Sequence, residues 1–101
     1  MKIAIASPGR KIEEQVAHRA GRAPYYLLFA GRELQAVMEN PFSQEPGGVG
    51  PRLAAWLAEK GVDMVVAGEF GFKMSDHLAA NNIEAKQASG VTIKEFLEKH
   101  G

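Results

Sequence analysis

The chain has 101 residues, 46% of them hydrophobic and 24% charged, with 12 basic against 12 acidic side chains and a formal net charge of zero. That length gives one domain with one core, and the charge balance leaves no electrostatic case for nucleic acid or a membrane surface as partner. There is no cysteine, which excludes disulfides, a thiol nucleophile, zinc ribbons and cysteine-ligated iron-sulfur clusters.

Lys2 to Ala6, KIAIA, is apolar and partly β-branched, the pattern of a strand buried on both faces. Ser7-Pro8-Gly9 breaks it. From Arg10 to Arg22 no period survives, and Arg10, Lys11, Arg19 and Arg22 outnumber Glu13 and Glu14, with His18 among them. This segment reads as a basic loop with one helical turn around Ile12 to Val16. Pro24 has no amide hydrogen and belongs at a strand entrance, so Tyr25 to Ala30 is the second strand. Gly31-Arg32 turns the chain into Glu33 to Glu39, where Leu34, Ala36 and Met38 are expected on one face of a half-exposed edge strand.

Asn40 to Gly50, NPFSQEPGGVG, is dense in turn residues and reads as a loop. A helix follows, with Pro51 in its first turn, Leu53, Trp56, Leu57 and Lys60 along one stripe, and Gly61 at the position after its end that favours a left-handed backbone. Val62 to Ala67 is a second buried strand. Gly68-Glu69-Phe70-Gly71 turns it into a helix whose Met74, His77, Leu78 and Asn81 share a face, with His77 partly buried. Ile83 to Ala88 is a short, polar, edge-like strand. Thr92 and Glu95 have capping-box spacing, and Ile93, Phe96 and Leu97 form the buried side of a last helix.

The order predicts an α/β fold of three layers, a mixed five-stranded sheet with helices on both faces. Right-handed crossovers put Val62 to Ala67 parallel to the first strand and Ile83 to Ala88 beyond it. In such sheets the ligand crevice lies off the carboxyl ends of the parallel strands. Ser7 to Arg22, Gly68 to Gly71 and Ser89 to Val91 start there, and the Pro46 to Gly50 loop can cover the same rim.

The basic loop is a candidate anion site. Arg10, Arg19 and Arg22 would neutralise the charge, while amides of Gly21, Gly47-Gly48 and Gly68 to Gly71 donate hydrogen bonds and Phe70 packs nearby. The competing reading is a solvated loop, and for Gly68 to Gly71 a tight turn that requires small residues. The histidines, His18, His77 and His100, lack zinc-site spacing, so a preformed zinc site is not expected. Lys2 to Ala6 has no acid, and Asp63 and Asp76 are the only aspartates. A two-metal nuclease site and a Ser-His-Asp triad are therefore not expected.

MKIAIAS, GRAPYY, ENP at Glu39 to Pro41, GGVGPR at Gly47 to Arg52, EKGVDMVVAG at Glu59 to Gly68 and GVTIKEFLE near the end resemble, in order and spacing, the dinitrogenase iron-molybdenum cofactor biosynthesis family. The resemblance covers residues 1–101 as a single domain. It implies a ribonuclease H-like fold and a non-enzymatic, nitrogen fixation-related role: binding or carrying the iron-molybdenum cofactor, its precursor, or a related molybdenum-containing anionic metal-sulfur cluster without cysteine ligands. Family members typically read His-Phe-Gly-Arg before the Ala-Pro, with that histidine as the candidate cluster ligand; here Arg19-Ala20-Gly21-Arg22 stands there, and the resemblance makes His18, one residue earlier, the candidate metal ligand. The alternative is a protein-interaction or regulatory domain that keeps the fold without the cluster. Expected partners are the cluster and a delivery or acceptor protein, in a cytoplasmic monomer or weak dimer.

Overall fold

In the computed structural model, which describes residues 1–100, five strands and three helices form three layers. The strands are β1 (Lys2–Ser7), β2 (Tyr25–Ala30), β3 (Glu33–Glu39), β4 (Met64–Ala67) and β5 (Glu84–Gln87). The helices are α1 (Gly50–Glu59), α2 (Phe72–Ala80) and α3 (Ile93–His100). The sheet order is β3-β2-β1-β4-β5. β1 pairs antiparallel with β2 and parallel with β4, β2 antiparallel with β3, and β4 parallel with β5. The sheet is therefore mixed, with β2 as its one antiparallel member.

Alternation along the strands divides the core. Ala4, Ala6, Tyr26, Leu28, Val65 and Ala67 face α1 and α2, where Leu53, Leu57, Met74 and Leu78 are buried. Ile3, Ile5, Leu27, Phe29, Met64 and Val66 face α3 and its Ile93, Phe96 and Leu97. Gly61, at φ +74°, and Gly31, at φ +63°, take the left-handed turns expected of them. Thr92 and Glu95 cap α3 reciprocally: the Glu95 amide donates to Thr92 Oγ1 at 3.0 Å and the Thr92 amide to Glu95 Oε1 at 2.8 Å. The Thr92 amide, with help from its side chain, holds the Glu95 carboxyl below its ordinary pKa.

Three local expectations are corrected. Leu34, Ala36 and Met38 do not share a face: a register shift pairs Leu34 with Phe29 and Ala36 with Leu28. Each side chain follows its cross-strand partner, so Ala36 and Met38 pack toward α1 while Leu34, on the other side of the bulge, is 43% exposed. Ile12 to Val16 is not a helical turn. A single turn bond joins the Glu14 amide to the Lys11 carbonyl, after which Gln15 bridges Thr92 and the Val16 amide donates to the Val91 carbonyl. His77 is exposed rather than partly buried, because its Nδ1 lies 2.9 Å from the Lys73 carbonyl oxygen of its own helix.

Among the described residues no helix is long and apolar enough to cross a membrane.

Candidate functional site

Four loops open from one rim of the sheet. β1, β4 and β5 run parallel and end at Ser7, Ala67 and Gln87. β3 also ends on this rim, at Glu39, because it is antiparallel to β2, whose first residue Tyr25 pairs with Ser7. The Asn40 to Val49 loop thus sits beside the basic loop, and the Asn40 amide donates to the Pro24 carbonyl at 2.9 Å.

The basic loop is tied down along its length. The Ala17 amide donates to the Ala6 carbonyl at 2.8 Å, and the Gly68 amide to the Ala17 carbonyl at 2.9 Å. The Ala20 amide donates to the Glu69 carbonyl at 3.0 Å, and Arg19 bridges Glu69 as a short parallel strand. Ala20–Arg22 then forms a 3-10 turn. Its carbonyls are held from below: Tyr26 Oη donates to Ala20 O at 2.6 Å, while Asn40 Nδ2 donates to Ala23 O at 2.9 Å and to Gly21 O at 3.3 Å. Asn40 Oδ1 accepts the Phe42 amide at 2.9 Å. One buried amide side chain therefore joins the two loops.

Complete burial pushes the Tyr26 phenol far above its ordinary pKa, so it remains a donor to Ala20 O. Tyr26→Phe is expected to destabilise the fold by about 1–2 kcal/mol by leaving that buried carbonyl unpaired, measured by urea unfolding. The sign of the pH effect follows from linkage. The stability tied to the neutral phenol is present below about pH 10, the ordinary tyrosine pKa, and falls as pH rises above it, since the unfolded chain ionises and the folded one resists. Tyr26→Phe should flatten that alkaline decline.

Gly68 is a close-approach glycine. A Cβ there would stand 2.8 Å from His18 O and 2.9 Å from His18 Cα, distances that real Cβ atoms do not adopt. Gly71 is different: it precedes α2 in an extended conformation and a Cβ would meet open space. Phe70 is half-buried against the α1 and α2 core. The small-residue reading therefore accounts for Gly68 by packing and for Phe70 as a core residue.

The charged candidates divide into two groups. The Arg22 guanidinium donates to the Glu45 carbonyl, and Arg52 of α1 pairs with the Glu45 carboxylate and lies 5.1 Å from the Phe42 ring centroid. Gly21 sits beneath Val49, and Gly47 and Gly48 follow with positive φ of +153° and +64°. His18 Nε2 lies 3.8 Å from Glu69 Oε2 on the same side, both exposed. Arg19 is exposed beside them. Arg10 stands apart: it lies 3.8 Å from Glu39 and 5.0 Å from the Tyr25 ring centroid, over a residue that packs on the α3 side. His18, Arg19, Gly21, Arg22, Gly47 and Gly48 thus share one surface, while Gly68 is buried with its amide committed to the Ala17 carbonyl and Arg10 contributes to the opposite face of the rim.

Three residues of this surface escape a reading of the sequence. Arg52 and Glu45 join it only because β3 returns its following loop to the rim, and Asn40 looks like one turn residue among many; its Asn-Pro pair was the available signal. Among the described residues no three histidine, aspartate or glutamate side chains gather as a metal site. The surface is suited to an anion met by arginines and exposed glycine amides, with His18 as its one imidazole.

A family model described as dinitrogenase iron-molybdenum cofactor matches residues 1–101. Among solved structures, the NMR structure of a Thermotoga protein, described as NifB-like and as belonging to the DUF35 family, is 26% identical with a TM-score of 0.80, covering 96% of this chain and 84% of the other. The apo form of the orange protein from Desulfovibrio gigas superposes with a TM-score of 0.87 at 24% identity, covering 97% and 84%. A dinitrogenase-like protein from Methanocaldococcus jannaschii aligns with a TM-score of 0.66 at 15% identity over 98% and 89%. No curated protein matches the sequence.

Proposed function

We propose, from the premise that the chain belongs to the dinitrogenase iron-molybdenum cofactor family over residues 1–101, that it is a non-enzymatic carrier of an anionic molybdenum-containing or related metal-sulfur cluster. That full-length membership is the observation that carries the reading. The strand order, with β2 the one antiparallel strand, supports a ribonuclease H-like fold beneath it.

The rim surface supplies what such a cargo requires. Arg19, Arg22 and Arg52 offer positive charge, and Gly47-Gly48 leave backbone amides open to a ligand. With no cysteine in the chain and no cluster of metal-ligating side chains among the described residues, the cargo is held by charge and hydrogen bonds to its outer sulfur and oxygen atoms. His18 is the one imidazole of this surface and its candidate metal ligand. Glu45, whose carboxylate pairs with Arg52 and whose backbone carbonyl accepts the Arg22 guanidinium, gives up both arginines to an incoming cargo. A delivery or acceptor protein then completes the transfer.

The test is an anaerobic absorbance titration with tetrathiomolybdate, a molybdenum-sulfur anion. Arg22→Ala is expected to weaken binding about tenfold, the size of one lost hydrogen bond to a charged group. Affinity unchanged by that substitution would sink the assignment of the site. The second reading, an interaction or regulatory domain, is favoured by Arg19 in place of the family's histidine and by Ala20, only 1% exposed, in place of its aromatic. A colourless, metal-free protein that takes up no tetrathiomolybdate would select it.

A further inference from the structure

The molecule also has a hollow that no residue of the arginine surface lines. It lies at the carboxyl end of β5, between that edge strand and α3, with a volume of about 240 Å³. Its floor is Ala88, Val91 and Phe96, which belong to the core on the α3 side. Its polar margin includes Lys86 from β5 and Lys99 and His100 from the last turn of α3. The His100 ring stacks on Phe96 with centroids 4.9 Å apart and planes 22° from parallel, giving the hollow a flat wall. Among the described residues no carboxylate lines it.

This composition is uneven for a chain whose basic and acidic residues balance at 12 each. Glu95, the acid of α3 on which the Lys99 charge acts, also accepts the Thr92 amide. Among the described residues neither Lys86 nor Lys99 forms an ion pair. The volume falls below the roughly 300–1,000 Å³ of pockets for drug-sized ligands, which limits the occupant to about one ring or a short branched chain.

We infer that the hollow between β5 and α3 binds a small organic anion, a carboxylate on a flat apolar body, with the body against Phe96, Val91 and the His100 ring and the carboxylate between Lys86 and Lys99. The apolar floor supplies burial and the two ammonium groups, borne on separate elements, supply orientation. The site is independent of the cargo reading, since it uses no residue of the arginine surface. It does touch that surface through the backbone: the Val91 carbonyl accepts the Val16 amide at 3.0 Å, and the Ile93 and Lys94 amides donate to the Glu14 and Ile12 carbonyls at 2.9 Å each.

The experiment is an NMR titration of the full chain with benzoate as the probe, benzamide as its uncharged counterpart and inorganic phosphate as the anion without a body. Benzoate is expected to shift the resonances of Val91, Phe96 and His100 and to bind at least about fivefold more tightly than either control. Lys86→Gln and Lys99→Gln should each weaken it about threefold to fivefold, the range of partly exposed charge pairs, and the double variant should weaken it about tenfold or more. Lys99 is exposed and Lys86 half-buried on the edge strand, and an unchanged amide spectrum in each variant verifies the fold. Equal binding of benzoate and benzamide, phosphate binding as tightly as benzoate, or a double variant that binds benzoate normally would each overturn the inference.

Discussion

Gly68→Val is expected to give the largest loss of stability of any single substitution on the rim, about 3 kcal/mol, within the usual range for overpacking against atoms that cannot move aside. The first carbon of the new side chain would stand 2.8 Å from the His18 carbonyl oxygen and 2.9 Å from His18 Cα. Both are backbone atoms in a strand-like pairing, so relief requires the Ala17-Gly68 hydrogen bond and the Arg19-Glu69 bridge to open. A thermal melt should show a fall of roughly 12–24 °C, at about 4–8 °C per kcal/mol for a domain near this size. Gly71→Ala is the control: a Cβ there meets nothing within 4 Å, and stability should stay within about 0.5 kcal/mol. Equal melting of the two variants would contradict the close-approach account.

Asn40→Ala is expected to cost about 2–3 kcal/mol and to loosen tetrathiomolybdate binding at the same time. The side chain is 5% exposed and serves the Gly21 and Ala23 carbonyls and the Phe42 amide. Alanine leaves all three without this partner, and a buried group left unpaired costs about 1–3 kcal/mol. Because the Gly21 and Ala23 carbonyls flank Arg22 while Phe42 starts the segment that carries Glu45, the same cut frees both sides of the proposed anion surface. Urea unfolding measures the first effect and anaerobic titration the second. Asn40→Asp separates them, since it keeps the acceptor for Phe42 and loses the donor to the turn. An Asn40→Ala protein with wild-type stability would show that the two loops hold each other by other means.

The two arginines on Glu45 explain how a chain of zero net charge can still present an anion surface. Arg22 reaches it from the basic loop and Arg52 from the second residue after the start of α1. The Arg22 bond goes to the Glu45 carbonyl and only Arg52 meets the carboxylate; a partly exposed ion pair such as the latter is worth about 0–1 kcal/mol, so Glu45 holds Arg52 in place without committing it. A more highly charged ligand exchanges with it at little cost.

Much of the fold was legible from the residues. Ile3 to Ala6 and Met64 to Ala67 are apolar without interruption, the pattern of strands covered on both faces; β1 and β4 are neighbours in the interior of the sheet accordingly. Pro24, Gly31, Gly61 and the Thr92-Glu95 pair marked boundaries because each constrains its own backbone. Where the expectation failed, the deciding contact was distant. The bulge that turns Leu34 outward depends on pairing with Phe29, and the Ile12 to Val16 segment leaves its single turn at Glu14 because Thr92 and Val91 receive Gln15 and Val16. Neither partner can be inferred from local period.

By itself the sequence determined the elements, the three-layer class, the central strands and the basic character of the segment from Arg10 to Arg22. These depend on side-chain spacing and charge, which are local properties. Only the tertiary structure decided which charges meet. It set Arg10 on Glu39 and Tyr25, away from Arg22, brought Arg52 and Glu45 from the far side of the Asn40 loop to join Arg22, and required glycine at position 68 through the approach of His18. It also placed Lys86 and Lys99 beside one hollow. These are meetings of residues far apart in the chain, fixed by the order and direction of five strands rather than by any property of the residues alone.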